Sequence, residues 1–184
     1  MTHRWTVFGI LMVAALSTLL MLRVASAETT PPELSQQKIQ SIRSHCGSIR
    51  STLNQLHTTD ALLRVNRGQM YTSLSTNVMA KMNSRLALNR LDGSELVRVT
   101  TEYEEHYSVF RERYERYNDR MEELKKIDCT QNPEQFYVAL TDARTLRTEV
   151  NEATKQLNRD IDAYHGAFSD FRTDFLSEQK AKND

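Results

Sequence analysis

The chain of 184 residues is poor in the residues that build turns, with five glycines and three prolines. A fold of many short strands needs turn chemistry at each connection, so this scarcity argues against one and favours a few long helices. A glycine-rich phosphate loop is missing, since Gly68 and Gly93 stand alone. The only cysteines are Cys46 and Cys129, and their spacing fits neither a zinc pattern nor a haem-attachment pattern. Acids and bases balance at 24 each, which argues against general binding of nucleic acid. No Ser–His–Asp or Cys–His arrangement offers a nucleophile. His45, His57, His106 and His165 are scattered. Glu102 and His106 stand one helical turn apart, but the repeated motif and facing carboxylates of a di-iron bundle are lacking. The expectation is a non-enzymatic protein without metal or cofactor.

What is present begins with an apolar run, Thr6 to Leu22, preceded by Arg4 and followed by Val24-Ala25-Ser26-Ala27. Small residues at Ala25 and Ala27 suit a signal peptidase, so residues 1–27 read as a secretory signal cut before Glu28. The alternative is an uncleaved N-terminal membrane anchor. Either places residues 28–184 outside the cytoplasm, secreted, periplasmic or tethered. Two cysteines in an oxidising compartment then imply a Cys46–Cys129 disulfide.

Three heptad tracks follow. The first runs Ile39, Ile42, Cys46, Ile49, Leu53, Leu56, Asp60, Leu63, Arg67, Met70, Leu74. The second runs Leu96, Thr100, Tyr103, Tyr107, Phe110, Tyr114, Tyr117, Met121, Leu124. The third runs from Phe136 through Leu140, Ala143, Arg147, Val150, Thr154, Leu157, Ile161, Tyr164 and Phe168 to Phe171 and Phe175. Alternating steps of three and four mark helices packed along their lengths. Pro31-Pro32 can start the first helix. Asp92-Gly93-Ser94 supplies a turn with Gly93 at positive φ and Ser94 as cap, and Asn132-Pro133 opens the third. The predicted fold is all-α, an elongated antiparallel three-helix bundle, up-down-up, with one disulfide. It occupies residues 28–179, with helices near 33–90, 94–127 and 133–178 and a frayed tail at 180–184. The disulfide requires the loop after the second helix to overrun, or the first helix to bend, with Gly68 the expected site of irregularity.

Charge sorts by helix. Residues 33–90 carry eight bases and two acids, whereas 94–127 carry seven and nine, and 133–184 seven and ten. A basic helix beside two acidic ones favours docking within the chain, and the alternative is an anionic envelope polymer or lipid.

Polar residues interrupt the seams. Asp60 and Arg67 lie on the first track, and Arg147 and Thr154 on the third. Counted from the turns, residue 60 lies level with about 140 and residue 67 with about 147, so Asp60 can pair with Arg144 or Arg147, with Asn66 and Thr141 as further polar neighbours. Such a cluster either fixes register as a buried ion pair or forms a small polar pocket. The aromatic stripe from Tyr103 to Tyr117 belongs in the core, its phenolic oxygens at the seam edge. Phe168, Phe171 and Phe175 lie near the C-terminal end, which the first helix is not expected to cover fully, and form a candidate partner face.

Four segments bear a resemblance: His57-Thr-Thr-Asp60 with Arg64-Val-Asn-Arg-Gly-Gln-Met-Tyr71, Asn83 to Gly93, Asp128 to Tyr137, and Ala143-Arg-Thr-Leu-Arg147. Together they resemble uncharacterised exported helical proteins of candidate-phylum bacteria such as the Saccharibacteria. The likeness covers most of residues 40–165 and brings no activity with it. The expected function is a cell-envelope interaction or structural protein acting as a helical rod, monomeric or homodimeric, whose partner is an envelope protein or surface polymer. Its membrane contact is limited to the N-terminal segment if that is uncleaved. The rival expectations are an exported holdase-type chaperone and a small-ligand-binding or sensory bundle centred on Asp60 and Arg147.

Overall fold

A computed structural model describes residues 34–183. The segment expected to be an export signal or anchor, 1–27, lies outside them. The described chain is an all-helical bundle: α1 (Gln36–Ser44), α2 (Cys46–Ser73), a π-helical segment (Leu74–Met79), α3 (Ala80–Leu88), α4 (Ser94–Lys126) and α5 (Pro133–Asn183). No strand occurs among the described residues. None of these helices is long and apolar enough to cross a membrane.

Local chemistry sets the boundaries. Ser35 caps α1 by accepting from the Lys38 N–H. At His45 the backbone leaves helical angles, and the imidazole Nδ1 donates to the Ser41 carbonyl. Asp92 accepts from the Ser94 N–H at the start of α4. The Asp128 carboxylate accepts from the N–H groups of Thr130 and Gln131, which shapes the loop before α5. Those hydrogen bonds hold both carboxyls below the usual range.

Several sequence expectations need correction. The helix predicted over 33–90 is interrupted at His45 and again at Leu74–Met79, and Gly68 lies inside regular α2. The cause of the second break is visible in the neighbours. The Tyr103 hydroxyl donates to the Tyr71 carbonyl at 2.9 Å, and Thr72 and Thr76 donate to the carbonyls one turn back. Competing donors of this kind loosen the regular ladder and admit a π-turn. In the turn before α4, the residue with positive φ is Arg90 (56°), not Gly93 (φ −117°). Gly93 is needed for closeness instead: a Cβ there would meet Leu86 Cδ1 at 2.7 Å. The tail expected to fray, 180–184, is helical as far as Asn183. No glycine or proline follows Gly166 to stop α5, and Lys180 and Lys182 complement its C-terminal dipole.

Cys46 and Cys129 form the disulfide, with Cα atoms 5.6 Å apart. Cys46 opens α2 directly after the His45 break, and Cys129 lies in the loop beyond α4. Of the two alternatives the register left open, the loop runs on past the end of α4, and the first helix is interrupted at His45 rather than at Gly68.

The core has two parts. One, at the disulfide end, gathers Cys46, Leu53, Tyr117, Met121, Leu124, Cys129, Phe136 and Ala143. The other gathers Tyr71, Met79, Leu86, Leu96, Tyr103, Phe110, Leu157 and Tyr164. Between Leu53 and Tyr71 no side chain of α2 is buried. Leu63 and Met70, expected on the first seam, are about half exposed. The spacing explains it. Leu53 and Tyr71 are five turns apart at 3.6 residues per turn, so α2 keeps the straight-helix period and drifts off the predicted 3.5-residue track.

Charge complementarity does not dock the basic helices as expected. Among the described residues, no cation of α1, α2 or α3 forms an ion pair with an acid of α4 or α5. The one ion pair made by these helices runs the other way: their acid Asp60 meets Arg147 of α5. Apolar burial at the two ends holds them in place, because exposed charges gain little from pairing across water.

Candidate functional site

The unburied stretch of α2 stands over α4 and α5 and leaves a cleft of about 540 Å³. Its walls carry Asp60, Arg67, Arg144, Arg147 and Thr154 of the polar residues singled out from the sequence. Phe110, Tyr114 and Tyr117 of α4 form the floor. Asn66 and Thr141, expected as polar neighbours, do not line it; Thr148 and Asn151 do. Those two lie on the α5 face one turn beyond Arg144 and Arg147, a relation the heptad track could have signalled.

Asp60 organises the cleft. It accepts from Arg147 Nε at 2.8 Å and Nη2 at 3.1 Å, and from the Tyr117 hydroxyl at 2.7 Å. The guanidinium fork and the carboxylate meet in the bidentate geometry that makes such pairs strong. Asp60's side chain is only 11% exposed, whereas that of Arg147 is 51% exposed. Burial pushes the Asp60 carboxyl up, but the hydrogen bonds from Arg147 and Tyr117 outweigh it and hold the group below its ordinary value. Asp60 is therefore charged at neutral pH. Burial and the adjoining carboxylate push the Tyr117 phenol well above its usual range, so it serves as a donor. The same ion pair raises Arg147.

Arg67 and Arg144 behave differently. Neither has an ion-pair partner among the described residues. The cleft thus holds three guanidiniums against one carboxylate, and that carboxylate is committed to Arg147. Such a constellation attracts anions and has no activated nucleophile.

The other candidate residues are placed as follows. Phe171 and Phe175 stack with centroids 6.1 Å apart. They line a groove against Leu91 to Val99, the connection into α4. Phe168 is 37% exposed and stays out of that groove, which corrects its grouping with the other two. Phe171 packs on the second core part, so the aromatic end is partly covered by the chain itself. Glu102 and His106 do not work together: Glu102 pairs with Arg98, and His106 meets Asp160 at 2.8 Å. Asp160, 7% exposed, also accepts from Gln156. This buried link was missed because Asp160 flanks the third track between Leu157 and Ile161. No group of three or more His, Cys, Asp or Glu is placed to hold a metal among the described residues.

Comparison with known proteins gives no match to a family model, to a curated protein or to a solved structure.

Proposed function

We propose that the protein is an exported, non-enzymatic bundle of the cell envelope that holds a small anionic ligand in the cleft beside Asp60. In this reading residues 34–183 form an elongated three-helix bundle, up-down-up, with α1, the π-interrupted α2 and α3 acting as one arm. The order of partners supports it. Cys46 pairs with Cys129, Asp60 with Tyr117 and Tyr71 with Tyr103, while His106 pairs with Asp160 and Arg120 with Asp142. Each set runs antiparallel. The α5 arm alone is about 75 Å long at the helical rise.

The observation that carries the ligand reading is the excess of guanidinium in the cleft: Arg67 and Arg144 face it without an ion-pair partner. A cleft of this size falls within the usual range for small-molecule sites. Anything that binds the folded state alone raises the melting temperature as its concentration rises. The test is thermal melting in increasing inorganic phosphate and citrate. The expected result is a concentration-dependent rise that shrinks in Arg67→Gln and Arg144→Gln. No rise with either anion, or an equal rise in both variants, would remove the cleft as the site.

A second reading has its own observation. The bases of α1, α2 and α3 are not consumed by acids of α4 and α5, so an acidic surface polymer could lie along them, with the bundle as a rod-like adaptor. Retention on an anionic polysaccharide column that persists in Arg144→Gln would favour this partner over the cleft ligand.

A further inference from the structure

The cleft has a neighbour. A second chamber of about 370 Å³ lies alongside it toward the disulfide, and the two share Tyr117, Arg144 and Arg147. The chemistry changes across that shared wall. The second chamber is lined by Ile49, Leu53, Leu56, Met121, Leu140 and Ala143, with no acid at all. Its rim carries Ser48 and Thr52, but the Thr52 hydroxyl is already donated to the Ser48 carbonyl and that of Ser48 to the His45 carbonyl. Along α2 the chamber extends from Ser48 to Leu56, about 12 Å at the helical rise. The arginine cleft continues from Asp60 to Arg67 on the same helix.

We infer that the two chambers form one site for a single-chain amphiphile with an anionic head, its acyl chain along Ile49, Leu53, Leu56 and Leu140 and its head at Arg144 and Arg67. This deepens the proposed anion-binding function and rests on it. Charge complementarity selects the occupant. An uncharged apolar ligand would leave two guanidiniums without a counter-charge beside it. A small inorganic anion would leave the apolar chamber to water. A molecule with both parts satisfies both walls, and the shared residues Tyr117, Arg144 and Arg147 mark the junction where chain gives way to head. Carboxylate and phosphate heads share this chemistry, since a guanidinium binds either through paired N–H groups.

The test is calorimetric titration of the disulfide-bonded full-length chain. The probes are dodecanoate, dodecyl maltoside, butyrate and inorganic phosphate, each amphiphile below its micelle-forming concentration. Dodecanoate is expected to bind most tightly, at one per chain. Arg144→Gln is expected to weaken it about tenfold, the worth of one charge-assisted contact. Arg144 is exposed and outside any ion pair, so this variant keeps the fold. Thr52→Phe, at the rim, is expected to weaken dodecanoate while leaving phosphate unchanged. If butyrate binds as tightly as dodecanoate and both weaken in Arg144→Gln, the amphiphile is ruled out and the anion cleft stands. If the maltoside matches dodecanoate and Arg144→Gln changes neither, the arginine head site is ruled out. If no anion binds, the inference and the function beneath it fall together.

Discussion

Two stretches of similar sequence character behave differently in this bundle. Along α4 the track predicted from Leu96 to Leu124 is buried at every position except Tyr107, which is half-buried. Along α2 from Asn54 to Met70 the equivalent track is not buried at any position. The difference lies in how the apolar residues are distributed. In α4 all but Val97 and Val109 fall on one face, and the opposite face is rich in charge. In α2 Leu62, Leu63, Val65 and Met70 are spread around the helix, Leu62 turned about 100° from Leu63 at 3.6 residues per turn. No single face of that stretch can satisfy a neighbour along its whole length. The chain secures it at its ends instead, by the disulfide and Leu53 on one side and Tyr71, Met79 and Leu86 on the other. The slack between these anchors is the cleft. A register set by two fixed ends and an inserted π-turn tolerates polar groups in the middle, where a continuous seam would expel them.

Breaking the anchors should have the largest effect. Replacing both cysteines by serine opens a loop spanning 83 residues. The chain-entropy estimate is a loss of about 4.5 kcal/mol, read as a fall in the denaturation midpoint. An unchanged midpoint would mean that Leu53 and its neighbours hold that end unaided.

Truncation separates the two helices next. Leu124→Ala on α4 is expected to cost about 3 kcal/mol, as for other fully buried leucines. Met70→Ala on α2 should stay within about 0.5 kcal/mol. Equal losses would place Met70 in a packed seam and close the cleft.

Asp60→Ala is expected to cost about 2 kcal/mol, because it leaves Arg147 and the Tyr117 hydroxyl without their acceptor. Asp119→Ala, on the exposed face of α4, should cost almost nothing. The pH dependence sharpens this contrast. The folded carboxyl of Asp60 lies below its unfolded value near 3.8. Its contribution is therefore fully present above that value and is lost as pH falls through the lower folded one. As pH falls below 3.8 the gap between wild type and Asp60→Ala should narrow; a gap that stays constant through acid denaturation would exclude this linkage. Gly93→Ala is expected to cost less than Asp60→Ala, about 1 kcal/mol, from the contact its Cβ would force on Leu86.

Much of this organisation was legible in the residues. The track of α4 follows from periodicity and the cysteine pairing from the even cysteine count, whereas Arg67, Arg144 and Arg147, placed by the seams in a polar core, are exposed on the walls of a cleft. The stand-off of α2 was not legible. Over three or four heptads the 3.5 and 3.6 periods diverge by only a fraction of a turn, so Met70 and Tyr71 both fitted the sequence. The π-turn follows a carbonyl that accepts from the Tyr103 hydroxyl, 32 residues away in the chain, and no local pattern encodes that contact. Arg90, not Gly93, holds the left-handed position, while the glycine serves closeness to Leu86, a contact that local sequence does not signal.

The most direct measurement is native-state hydrogen exchange compared between Leu62–Met70 of α2 and Tyr107–Tyr117 of α4. If α2 stands off the core between its anchors, its amides open by local fluctuation and exchange far faster than those of α4, which wait for global unfolding. Equal protection in the two stretches would contradict the account, since it would require α2 to be packed along its full length, with no cleft to hold a ligand.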